Sequence, residues 1–119
     1  MKYKLTLTDE QAQTVATACE FYARIMMGQF TEITWHTMMC QPMDDTWCDR
    51  RDAAETYLYK ARQFIYPELG GRGSSYGIGK FEDADEAFDV YQALRQKFPH
   101  DGRLPFSYKK IPECEVEDD

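Results

Sequence analysis

Residues 8–30 read TDEQAQTVATACEFYARIMMGQF, and this stretch decides the fold. Thr8 can accept a hydrogen bond from the backbone of Gln11, and the Gln11 side chain can return one to Thr8, the reciprocal capping box that opens a helix. Beyond it Ala12, Val15, Ala16, Cys19, Tyr22, Ala23, Met26 and Phe30 recur at spacings of three and four. That periodicity predicts one apolar face of a long amphipathic helix. Gly28 is expected to weaken its last turn.

Working outward, Lys2 to Leu7 alternates and is β-branched enough to predict a short strand. Downstream, Ile33, Trp35, Met38, Met39 and Met43 are apolar, but Pro42 interrupts any helix there. A second helix is predicted from Thr46 to Tyr66, with Asp44, Asp45 or Thr46 as cap. Its inward stripe is read as Ala54, Tyr57, Leu58, Ala61 and Ile65, and Pro67 ends it. A third helix is predicted from Asp83 to Phe98. It has acids in its first turn and Arg95 and Lys97 in its last, the order that suits the helix dipole. Leu104 to Ile111 is predicted as a second strand, antiparallel to residues 2–7. The expected fold is therefore mainly α (α+β), a three-helix core with a small two-stranded antiparallel sheet pairing the N- and C-terminal segments. Residues 1–112 form one compact helical domain, and residues 113–119, with five acids, form a disordered tail.

The chain of 119 residues fits one domain. Its net charge of −7 argues against duplex nucleic acid, which needs a basic footprint. Acidity still allows a small anion in a local basic pocket, or docking on a basic surface. The longest nearly uncharged run, Phe30 to Asp44 broken by Glu32, is too short and polar for a bilayer span. The first residues lack the apolar stretch of a signal peptide, so the expected location is the cytoplasm, with Cys19, Cys40, Cys48 and Cys114 as reduced thiols.

Residues 70–80 hold five of the seven glycines. Glycine-rich turns can present backbone amides to phosphate, and Arg72 and Lys80 add positive charge. Neither a P-loop nor the dinucleotide fingerprint is present, because Ser74, Tyr76 and Phe81 stand where those motifs need other residues. The alternative is a structural connector. Arg24 and Arg95 lie beside apolar stripes and need partners; Glu20, one turn before Arg24, is the internal candidate. The other candidate is an anionic ligand. The ligand-binding set read from these features is Arg24, Arg72, Ser75, Tyr76, Gly77, Gly79, Lys80, Tyr91 and Arg95, with the tyrosines able to stack on a base. His36 and Cys40 are four apart, with Cys48 and Cys114 as possible further ligands, but the spacing matches no common zinc module. No nucleophile signature surrounds His36 or His100. Neither metal, cofactor nor catalysis is therefore expected.

The segments Glu20 to Phe30 and Ser75-Tyr76-Gly77-Ile78-Gly79, with the helix ending Tyr91-Gln92-Ala93-Leu94-Arg95, together resemble small accessory proteins encoded by phages and prophages. The likeness spans about half the chain in three blocks and carries over no functional residue. It implies an anti-defence setting in the host cytoplasm. Two expectations follow: a sponge that sequesters a nucleotide-type immune signal, as a homo-oligomer, or an acidic inhibitor of a host defence protein. The inhibitor would present Glu82, Asp83, Asp85, Glu86, Asp89 and the tail on one face. A nucleotide-acting enzyme is the third alternative.

Overall fold

A computed structural model describes residues 1–98 and 113–118. Along the chain run β1 (Lys2–Thr6), α1 (Asp9–Met26), α2 (Glu32–Met38), α3 (Trp47–Ile65), α4 (Glu82–Arg95) and β2 (Glu113–Glu117). The protein is mainly α, with a small antiparallel sheet that joins the two ends of the chain.

Both halves of the capping box that opens α1 are formed: Gln11 N donates to Thr8 Oγ1 at 3.2 Å, and Thr8 N donates to Gln11 Oε1 at 3.0 Å. At the other end Gly28 closes the helix rather than weakening it. With φ at +90°, it lets Gly28 N reach Ile25 O at 3.0 Å and Gln29 N reach Arg24 O at 2.9 Å. This pair of bonds is the Schellman closure, which needs a left-handed residue. A Cβ at Gly28 would lie 2.8 Å from Leu69 Cδ1.

The helices pack in two pairs, α1 against α4 and α2 against α3, with α1 also touching α2. Small residues bring the first pair close: Ala23 and Ala84 are buried together with Met27, and Tyr76, Phe81, Ala87 and Phe88 pack around them. In the second pair Trp47 is buried and donates its indole N–H to Met38 O at 3.0 Å. Tyr66, just past α3, links the pairs. Its hydroxyl donates to Met26 O at 2.7 Å, and its ring meets those of Phe30, Tyr76 and Phe81.

Four expectations are corrected. The core has a fourth helix, α2, because residues 32–38 complete two turns before Pro42 intervenes. The stripe assigned to the inside of α3 lies largely outside: Tyr57 is 71% exposed and Ile65 58%, and Ala61 is exposed too. Leu58 of that stripe does face inward, and with it stand Trp47, Glu55, Tyr59 and Arg62. The strand opposite β1 is Glu113–Glu117, within the segment read as a disordered tail. Its sequence Glu-Cys-Glu-Val-Glu alternates with period two, and the register sets Lys2 opposite Glu117 and Lys4 opposite Glu115. Opposite charges across a ladder offset the acidity that argued for disorder. The helix expected over Asp83 to Phe98, α4, ends earlier, at Arg95. Residues 104–111, predicted to supply the second strand, lie outside the described residues.

Candidate functional site

Arg62 organises the site. It lies on the inward face of α3 and is only 3% exposed. Its guanidinium donates to three backbone carbonyls of the glycine-rich loop: Ser74 O, Gly70 O at 2.7 Å and Gly71 O at 2.8 Å. A guanidinium is a rigid fork of five N–H donors, so one side chain can fold a loop of several carbonyls around itself. Its Nε is buried with no hydrogen-bond partner. No carboxylate pairs with it among the described residues.

Tyr59 lies one turn before Arg62 on the same face. The Arg62 guanidinium sits 5.1 Å from its ring centre and that of Arg72 sits 5.0 Å from it, so two cations bracket one aromatic ring. These groups line a cleft of about 470 Å³ between the α1–α2 turn, α2, α3 and the loop. Arg72, Ser74 and Ser75 form its loop side; Glu32, Glu55 and Arg62 line it from the helices, with Gln29 and Phe30 on the turn. Glu32 lies 3.4 Å from His36 Nε2 and 4.0 Å from Arg24 Nη1, and Glu55 accepts from the Thr34 hydroxyl at 3.2 Å. The volume falls within the range of small-ligand sites.

The loop is turned the other way from a phosphate cradle. Its carbonyls face Arg62, while several of its amides are already engaged. Tyr76 N donates to Met27 O at 2.8 Å, Ser74 N to Gly71 O at 2.9 Å, and Gly79 N to both Asp85 carboxylate oxygens at 3.1 Å. Positive charge in the cleft therefore comes from side chains rather than from backbone amides.

Of the nine residues read from the sequence, Arg72 and Ser75 line the cleft. Gln29 Nε2 reaches Ser75 Oγ at 3.5 Å, and Arg24 binds the other end of the same amide at 2.9 Å. Arg24 also pairs with Glu20 at 3.4 Å, the internal partner expected for it. Tyr76 belongs to the aromatic cluster with Tyr66 and Phe81, and Lys80 lies over its ring at 5.1 Å. Gly77 and Gly79 stand exposed beyond the cleft, Gly79 with φ at +97°. Tyr91 and Arg95 stack on each other on α4 at 5.8 Å. The Tyr91 phenol is held above its ordinary pKa, chiefly by its hydrogen bond with Glu20 and secondarily by burial. Glu20 thus links Arg24 to Tyr91 and its stacked Arg95, and neither arginine lines the cleft that holds Arg72 and Ser75.

Arg62, Tyr59, Glu55 and Gln29 escaped the sequence reading. A signal exists: Trp47, Glu55, Tyr59 and Arg62 recur at multiples of a helical turn, but they are polar or amphipathic, so a search for apolar stripes passes over them. Among the described residues no three of His, Cys, Asp or Glu group as a metal site, and no helix is long and apolar enough to cross a membrane. Compared with protein families, curated proteins and solved structures, the chain matches none.

Proposed function

We propose that this chain is a non-catalytic binding protein whose cleft takes a small anion of nucleotide type. In the phage setting implied by its resemblance, that binding sequesters a nucleotide signal of host defence. The observation that carries the reading is Arg62, a buried guanidinium that lines the cleft with an unpartnered Nε and no carboxylate of its own. An uncompensated buried cation is costly, and a bound anion relieves that cost. Arg72 adds a second guanidinium on the same ring, and Ser74 and Ser75 supply hydroxyls nearby. Across the cleft, Glu32 and Glu55 accept hydrogen bonds, which suits the amino and imino edge of a purine rather than a second phosphate.

The test is titration calorimetry with linear and cyclic nucleotides and with inorganic phosphate. Arg72→Ala is the informative variant, because Arg72 is exposed and only stacks on Tyr59. A charge-assisted contact contributes about 1.5–3 kcal/mol, so the variant should bind roughly tenfold to a hundredfold more weakly with unchanged melting. Absence of nucleotide binding to the wild type at millimolar concentration overturns the reading. It leaves the inhibitor of a host defence protein, which the exposed carboxylates of Glu82, Asp83, Glu86 and Asp89 on α4 favour.

A further inference from the structure

The outward face of α3 is apolar where its inward face is polar. Ala53, Tyr57, Ala61 and Phe64 follow one another at spacings of four, four and three, so they form one stripe about three turns long. Tyr57 is 71% exposed and Phe64 88%. We propose that this stripe is where a second copy of the chain docks, helix against antiparallel helix about a two-fold axis.

Three observations converge on a copy rather than on another occupant. The first is shape. A two-fold contact that sets Tyr57 of one copy over Ala61 of the other also sets Phe64 over Ala53, because both pairs straddle the same turn of the helix at Leu58 and Tyr59. Large meets small twice on one axis, as a self-complementary surface requires. The second is area. An aromatic side chain can remove roughly 150–250 Å² from water, so the two rings, the alanines and the edge of Ile65 offer about 450 Å² per copy. Doubled, that is about 900 Å², enough for the apolar centre of a standard interface of about 1,200–2,000 Å² with a polar rim. The third is charge. The chain has 21 acidic residues and a net charge of −7, so two copies repel over most of their surfaces. This stripe carries no carboxylate. Lys60 flanks it, 5.5 Å from the Tyr57 ring centre, and Asp49 and Arg50, of opposite sign, lie one turn before Ala53.

The cleft opens on the opposite face of α3, so docking leaves it accessible and the inference stands apart from the ligand reading. Sedimentation velocity of the full chain over a concentration series tests it. The wild type should dimerise with a dissociation constant on the order of micromolar. Phe64→Glu and Ala61→Glu, each present in both copies, should weaken the dimer roughly a hundredfold or more. Both positions are exposed, so circular dichroism and melting of the dilute variants should match the wild type. If one variant misfolds, the other carries the test, with Tyr57→Ser as a third. A wild type that stays monomeric at about a hundred times the expected dissociation constant overturns the proposal and gives the stripe to a different partner. A dimer that folded variants leave intact overturns it equally.

Discussion

Replacing Arg62 with methionine keeps the side-chain stem and removes the guanidinium from the cleft. Three charge-assisted bonds to Ser74, Gly70 and Gly71 are lost. At ~1.5 kcal/mol each, the low end because water can reach the released carbonyls, the loss is ~4.5 kcal/mol. Removing a buried cation that has no carboxylate partner returns some desolvation energy, roughly 1–2 kcal/mol. The net expectation is a loss of about 3 kcal/mol. For a chain of 119 residues one kcal/mol moves the midpoint by about 4 °C, so Arg62→Met should melt about 12 °C lower. Arg62→Lys should recover only part of this, because one ammonium cannot reproduce the planar fork. Calorimetric melting gives the magnitude, and hydrogen exchange of residues 70–76 locates it. If Arg62→Met melts within about 2 °C of the wild type, with loop exchange unchanged, Arg62 does not hold the loop, and the account of the cleft fails with it.

Gly28→Ala should cost about 2 kcal/mol in chemical denaturation, since its φ of +90° strains any L side chain and the new Cβ meets Leu69. Gly73→Ala, with nothing near its Cβ, should change stability by less than ~1 kcal/mol in the same assay. The raised pKa of Tyr91 means its contribution is complete below its unfolded value of 10.0 and is lost as pH rises toward the folded one. Alkaline melting curves of Tyr91→Phe should therefore fall less steeply above that pH than those of the wild type. Deleting residues 113–119 should abolish exchange protection in β1 while lowering the melting point by no more than about 3 °C. Every residue of the two strands is exposed, and an isolated pair of strands is marginal.

The elements were legible where local rules act alone. The capping box at Thr8 and Gln11 and the dipole-matched charges of α4 marked real helices, since caps and dipoles need only neighbours in sequence. The faces of α3 were not legible. Tyr57 and Phe64 look like core, and Glu55 and Arg62 look like surface, until it is known what lies opposite them. The choice depends on the carbonyls of a loop that folds back on α3 from just beyond its end, which no periodicity encodes. β2 was missed for a related reason: its acidity outweighed its alternation, and only the lysines of β1, at the other end of the sequence, reverse that balance. Gly28 was read as a weak point because propensity counts helix interiors, whereas its position one residue past the C-cap makes a left-handed residue the favourable choice.

The glycine-rich loop and Arg62 each explain the other. A turn with five glycines in eleven residues has few side chains to shield its backbone, so the carbonyls it folds inward need donors from elsewhere. A guanidinium on the adjacent helix supplies them, and three of its five N–H groups are engaged in this way. What remains is a full positive charge, an Nε with no partner and one further N–H on Nη1, set beside Arg72 and two serine hydroxyls. Backbone carbonyls satisfy hydrogen bonds but do not neutralise charge. The need for an anion therefore survives the assembly of the loop. Turning Arg62 inward to meet that loop also turns Tyr57 and Phe64 outward on the same helix. One structural requirement, donors for a glycine loop, thus gives α3 a charged face toward the cleft and leaves an exposed apolar stripe on its other side.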